Sequence, residues 1–229
     1  MIRLNWLLLL IFLAFMIGNT SSVTAQTKWA ARDSMLQDFK EGTLVVRLKS
    51  HEKKLKKINE LIKGNDIDNS YKKRLEDKRD YIVQNRDRFN QELVAAFNTQ
   101  YNFSTVVFMF DKDLKKFKEG KRELLFLDQH LDYISEPPSL PGSIYYFGEG
   151  QTNTSGNSIS GLLVMDTKSQ QLPSWFPNFY RAKSNLKSFF GMFSSTKYTY
   201  RPPEKVIGKF QADLNRLWKK LQERQNPAK

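Results

Sequence analysis

Cysteine is absent from the 229 residues, and histidine occurs only twice, at His51 and His130. The first absence excludes a disulfide framework, thiol redox chemistry and thiolate metal sites, so apolar burial alone must hold the fold together. The second leaves no zinc site of two histidines one helical turn apart, since these two are far from each other in sequence. No G-x-S-x-G stretch is present to expose a serine nucleophile. The segment "GEGQTNTSG" carries glycines but lacks the Lys-Ser/Thr ending of a phosphate loop, and it reads as a hairpin tip. No internal repeat is visible.

Long apolar runs are lacking everywhere but at the start, where "WLLLLIFLAFMI" spans Trp6 to Ile17. Arg3 precedes it, and the small residues Val23 and Ala25 follow, so residues 1–25 read as a Sec-type signal peptide cut after Ala25. No cysteine follows the run, which excludes a lipoprotein anchor. No later segment approaches the ~18 consecutive apolar residues of a membrane-spanning helix. The expectation is an exported chain, periplasmic or secreted, with no transmembrane segment after signal removal. Residues 26–229 are then long enough for a single α/β domain.

Acidic residues are scarce relative to basic ones. Asp and Glu number 24 against 37 Lys and Arg, a formal charge of +13. Losing Arg3 with the signal leaves 36 against 24, or +12. Such a balance favours anionic partners, namely lipid headgroups, acidic glycans or an acidic envelope protein, and export argues against nucleic acid.

What is present divides by period. "KWAARDSMLQDFKEG" reads as a short amphipathic helix ended by Gly42 in the left-handed conformation. "TLVVRLKS" is a strand of β-branched and aliphatic residues. Ser50 is placed to cap the helix "HEKKLKKINELIKGN", whose Leu55, Ile58, Leu61 and Ile62 recur at helical spacing. Between them lie Lys53, Lys54, Lys56 and Lys57, a candidate electrostatic footprint for an anionic surface, or simply a solvated helix face. A long charged helix follows, with a narrow stripe of Tyr71, Leu75, Ile82, Phe89, Leu93 and Phe97.

Four apolar runs then read as strands: "NFSTVVFMF", "RELLFLD", "SIYYFGE" and "GLLVMD". The polar segment Gly150 to Ser160 reads as a long hairpin loop, making the last two runs antiparallel neighbours. Aromatic residues cluster next, with Trp175, Phe176, Phe179 and Tyr180, then Phe189, Phe190, Met192 and Phe193. Of these Trp175, Phe176 and Tyr180 are candidate binding residues, with core packing as the alternative reading. Pro202 and Pro203 open a final helix with Val206, Ile207, Phe210, Leu214, Leu217, Trp218 and Leu221 on one face. The order implies an α/β or α+β fold, a mixed sheet of about five strands packed by helices. A thioredoxin-like arrangement is one member of that class.

Three segments, "GTLVVRLKSHEKKLKKI", "AAFNTQYNFSTVVFMF" and "GLLVMDTKSQQLPSWFPNFYRA", resemble a group of uncharacterised exported α/β proteins of Bacteroidota. The resemblance implies export and the α/β fold, and it carries over no site residue.

Three apolar runs end in aspartate. In open α/β sheets ligands bind beyond the carboxyl ends of the strands, where Asp111, Asp113, Asp128 and Asp166 would have to converge. Together with His130 such a group suits Mg²⁺ or Mn²⁺ and a phosphate ester. "FMFDKDL" also resembles the start of a haloacid-dehalogenase phosphatase motif, in which the first aspartate attacks phosphorus and the second moves a proton. The match breaks at Leu114 and Lys115, and no paired aspartates follow downstream. An aspartate at a strand end is also an ordinary turn opener, because its side chain accepts bonds from nearby N–H groups. In "FDKDLKKF" it is equally placed to cap a short helix near Lys112. The sequence thus points to an exported, non-enzymatic envelope protein that binds a protein partner or an anionic surface without a cofactor. The alternatives are a metal-dependent phosphohydrolase using strand-end aspartates and a cysteine-free thioredoxin-like binding module.

Overall fold

The computed structural model describes residues 29–64, 68–154, 157–180 and 202–226, with 151–154 and 157–160 as backbone only. The expected signal peptide and the aromatic run Phe189 to Phe193 lie outside the described residues. Among the described residues no helix is long and apolar enough to cross a membrane.

A six-stranded mixed sheet forms the centre, as the α/β reading expects, with one strand more than the five anticipated. Its strands are β1 (Thr43–Leu48), β2 (Thr105–Phe110), β3 (Phe126–Leu127), β4 (Ile144–Thr154), β5 (Asn157–Met165) and β6 (Phe179–Tyr180). Their spatial order is β3-β2-β1-β4-β5-β6. β1 lies parallel to both β2 and β4, while β3, β5 and β6 each pair antiparallel with a neighbour. The helices are α1 (29–41), α2 (Glu52–Ile62), α3 (Asn69–Gln100), α4 (Leu114–Lys118) and α5 (Pro203–Gln225).

Side chains along a strand alternate between faces, and here both faces are apolar because both are covered. Leu44, Val46, Leu48, Phe147 and Val164 face the larger core, shared with Phe39 of α1, Phe97 of α3 and Phe210 of α5. Val45, Met109, Tyr146, Leu163 and Met165 face a smaller core with Phe117 of α4. Phe210 is fully buried among the rings of Tyr101, Phe147 and Tyr180, with centroids 5.4–5.6 Å away. Each such side chain contributes roughly 1.5–3 kcal/mol by leaving water.

The crossover from β1 to β2 runs through α2 and α3. A helix of 32 residues is about 48 Å long, whereas a six-residue strand covers only about 20 Å. The carboxyl half of α3, with Leu93, Val94 and Phe97, lies on the sheet. Its amino half therefore overhangs the sheet's carboxyl edge, where, among the described residues, Leu75 and Ile82 cluster with Ile58, Leu55 and Ile62 of α2. The narrowness of the stripe seen in the sequence has this cause.

Several local expectations are corrected. Gly42 is not left-handed, since the only described glycines with positive φ are Gly120 and Gly142. Close approach requires it instead: a Cβ there would sit 2.4 Å from the Ser143 carbonyl oxygen and 2.7 Å from that of Asp38. "RELLFLD" supplies only the two-residue β3, because Leu124 before it turns the chain with φ 50° and leaves its side chain exposed. The hairpin between the third and fourth runs is antiparallel as expected, yet its polar segment is no loop. The ladder continues to the pair Thr154 and Asn157. β1 stops pairing with β4 at Gly148, so this ribbon extends beyond the parallel strands. Backbone bonds hold it, and an apolar period is not required.

Candidate functional site

The parallel strands β1, β2 and β4 end together, with Leu48 level with Phe110 and Arg47 level with both Met109 and Gly148. From β1 the chain goes to β2 and β3 on one side and returns to β4 on the other, the topology that opens a crevice at the carboxyl ends. The segment Lys49–Ser50–His51 leaves β1 at this edge and is held from three directions. Asn90, with none of its surface exposed, accepts a hydrogen bond from the Lys49 N–H (3.1 Å) and donates one to the Lys49 carbonyl (2.8 Å). Asp111 accepts from the Ser50 N–H (2.9 Å) and from the Ser50 hydroxyl. Arg86 donates from Nη1 to the Ser50 carbonyl (3.1 Å) and from Nε to Asp87 (2.7 Å).

His51 follows with φ 52°, a left-handed conformation that costs a side-chain-bearing residue energy and that these bonds sustain. It, and not Ser50, occupies the cap position of α2, and its side chain makes no capping bond. Partial burial holds the His51 imidazole below its usual pKa, and Lys49 and Lys54 add to the effect. Lys49 pairs with Glu149 of β4 at 2.6 Å. On the other face of β1, burial lowers the pKa of Arg47, whose Nε has no hydrogen-bond partner among the described residues.

Between α2, the overhanging part of α3 and the end of β2 lies a crevice of about 670 Å³. Its cations are Lys56 of α2, Lys63 just after α2, Arg86 of α3 and Lys112 beyond β2, and its carboxylates are Glu52 and Glu60. Leu55 and Phe110 supply apolar wall. The Lys112 ammonium lies 5.6 Å from the Phe110 ring centre and 5.5 Å from that of Tyr133. The volume falls within the roughly 300–1,000 Å³ of small-molecule sites.

The aspartates read from the sequence are not gathered here. Asp111 and Asp113 do start a helical turn after β2, but neither side chain caps it. Asp111 is engaged by Ser50, while Asp113, only 4% exposed, accepts from the Tyr133 hydroxyl (2.8 Å) and pairs with Lys116 (3.6 Å). Burial and the Asp113 carboxylate both push the Tyr133 phenol upward. Asp128 follows β3, which runs antiparallel, so the register puts it near Val107, four residues and about 13 Å back from Asp111. It accepts from the N–H groups of Asp132 (3.0 Å) and His130 (2.8 Å), which hold its pKa low. The exposed His130 touches Gln129 at 3.2 Å. Asp166 lies beside Tyr145, at the amino end of β4, and accepts from the Gln170 N–H (2.8 Å). Among the described residues no three His, Asp or Glu side chains are grouped to hold a metal ion. Each of Asp111, Asp128 and Asp166 instead binds N–H groups of a turn or strand exit, and strand direction separates them.

Of the candidate binding residues, Lys53, Lys54, Lys56 and Lys57 are all exposed on α2, and Lys56 lines the crevice. The aromatic candidates are corrected: Phe176 and Tyr180 are buried in the larger core, 4.9 Å from the Phe39 ring and 5.6 Å from the Phe210 ring respectively. Trp175 packs against the same core, with the Arg32 guanidinium 4.7 Å from its ring centre.

Arg86 and Asn90 were missed as site residues, although the sequence carries a signal for both. The i, i+4 row Ile82, Arg86, Asn90, Val94 runs along the packed side of α3, and polar residues interrupt it only at those two places. Both reach the strand exit.

Sheet and crevice together define the class: a mixed α/β protein with a cation-lined cleft at the carboxyl edge of its parallel strands. No family model, no curated protein and no solved structure matches this chain.

Proposed function

We propose that the chain is an exported, non-enzymatic envelope protein that binds an anionic surface through the α2 side of the carboxyl edge. The observation that carries the reading is the placement of Lys53, Lys54, Lys56 and Lys57 in solvent on one helix, with Lys63 exposed just after it, next to the cationic crevice. Leu55, Ile58 and Ile62 are turned to α3, so the lysines are free of any packing role. The net charge of the chain and the apolar segment at Trp6 to Ile17 support the same reading.

Each lysine near an anionic bilayer is worth about 1 kcal/mol, and the attraction decays within a Debye length of about 8 Å at physiological salt. Four lysines thus supply about 4 kcal/mol, close to a thousandfold in partition. The test is co-sedimentation of residues 26–229 with phosphatidylglycerol vesicles and with phosphatidylcholine vesicles at low and high salt. Association with the anionic vesicles alone, lost in high salt and lost in K53Q/K54Q/K56Q/K57Q, is expected. A wild-type chain that stays in the supernatant at low salt removes the reading.

A further inference from the structure

We infer that the crevice between α2, α3 and the end of β2 is a discrete binding site for an organic phosphate monoester, with Arg86 as its anchoring cation. This goes beyond a diffuse surface charge, because it assigns one pocket, one ligand class and a geometry.

Three observations meet there. First, Arg86 is oriented before any ligand arrives. Its guanidinium has five N–H donors, of which the Ser50 carbonyl and Asp87 take two, leaving three without a partner among the described residues. The bonds from Nε and Nη1 leave both Nη2 hydrogens and one on Nη1, donors in a fixed plane that phosphate oxygens can accept from. A lysine at this place would offer a point charge only. Second, four cations line the crevice against two carboxylates, and Asp87, paired with Arg86 at 2.7 Å, offsets one more, which leaves a net charge of +1. Glu52, Glu60 and the three lysines are exposed, whereas the Arg86 side chain is only 21% exposed, so Arg86 is the lining charge best shielded from water. A phosphate monoester, with about −1.5 to −2 at neutral pH and three terminal acceptor oxygens, can bond Arg86 and the lysines at once, whereas a carboxylate has two oxygens to offer them. Third, the site is too large and too apolar for the phosphate group alone. Leu55 and Phe110 form wall, and inorganic phosphate would leave most of the 670 Å³ to water. The ester's organic group fills that part, lying against Phe110 beneath the Lys112 ammonium.

The experiment is titration calorimetry of the full mature chain, residues 26–229, with phenyl phosphate and, separately, inorganic phosphate. Saturable one-to-one binding of phenyl phosphate is expected, at least tenfold tighter than inorganic phosphate. R86Q should weaken it at least tenfold. Because Arg86 also ties down Ser50, K56Q/K63Q provides a second variant whose side chains are exposed and bear on no packing, and it should weaken phenyl phosphate severalfold with an unchanged melting temperature. Absence of saturable binding, or equal affinity in wild type and K56Q/K63Q, overturns the inference. Equal affinity for inorganic phosphate overturns the assignment of an organic ester.

Vesicles containing phosphatidic acid, itself a phosphate monoester, separate the sources of the ligand. Competition by phenyl phosphate for vesicle binding identifies a lipid headgroup as the source, and saturable phenyl phosphate binding without competition identifies a soluble ester. A chain that binds phosphatidylglycerol vesicles but not phenyl phosphate refutes this inference and leaves the surface reading standing. The opposite pair of results removes the surface reading and leaves the pocket.

Discussion

Replacing Asn90 by leucine deletes both hydrogen bonds that pin the backbone of Lys49 where β1 ends. The side chains are similar in size and the site is closed to solvent, so no large cavity is made. The main cost is the loss of the bonds that Asn90 makes to the Lys49 N–H and carbonyl, each worth about 1–3 kcal/mol where the group is buried. Lys49 is partly accessible, and water can reach some of the freed groups, which puts the sum near the lower half, about 2–4 kcal/mol. Burying leucine in place of the amide returns part of this, about 1 kcal/mol. A net loss of about 1–3 kcal/mol remains. For a chain of this size 1 kcal/mol moves the melting temperature about 2–4 °C, so Asn90→Leu should melt about 2–12 °C lower. Urea denaturation followed by tryptophan fluorescence gives the free energy, and hydrogen exchange gives its location. The Lys49 amide should lose protection selectively, since the local opening it reports no longer has to break the Asn90 bond. A midpoint within about 0.5 kcal/mol of wild type, with the Lys49 amide still protected, would refute the claim that Asn90 holds this edge.

Phe210→Ala removes a ring at the centre of the larger core and should cost about 3–5 kcal/mol in the same denaturation assay; a loss below 1 kcal/mol would show that the core does not depend on α5. Gly42→Ala places a Cβ against two backbone oxygens and should destabilise by about 1–3 kcal/mol, and a neutral result would show that α1 and the Ser143 turn are not in close contact. Burial raises the phenols of Tyr101 and Tyr180 above the usual tyrosine range, that of Tyr180 further through Asp213, so both stay protonated in the folded chain at pH values where the unfolded chain ionises. Their contribution is complete below about pH 10 and falls above it by about 1.4 kcal/mol per pH unit and tyrosine, so phenolate absorbance and loss of near-ultraviolet circular dichroism should rise together. Phenolate appearing well before the dichroism changes would contradict the burial of these two rings. Tyr180→Phe leaves Asp213 with Lys209 and Arg216 as partners and should cost only about 0.5–1.5 kcal/mol in thermal denaturation.

Much of the fold could be read in advance because it rests on local periods. The strands Thr43–Leu48 and Thr105–Phe110 are apolar on both faces, and α5 carries one apolar face opened by Pro203, so each announces itself within its own residues. β6 and the ribbon from Gly150 to Thr154 escaped because pairing with a neighbour makes them strands, and neither has a period of its own. The aspartates were overread for a related reason. A run ending in aspartate looks the same whether its strand points up or down, and only the antiparallel placement of β3 and β5 carries Asp128 and Asp166 away from Asp111.

The sequence by itself determined the missing thiol chemistry, the positive charge, the helix and strand periods and the lysines of α2, all properties of composition or of neighbours a few residues apart. Tertiary structure alone decided that Phe176 and Tyr180 are core, that Arg86 and Asn90 meet the chain leaving β1, and that Lys112 joins Lys56 and Lys63 around one crevice. These depend on strand order and on how far α3 overhangs the sheet. Both are set by the packing of whole elements against one another, a quantity that no window of sequence contains.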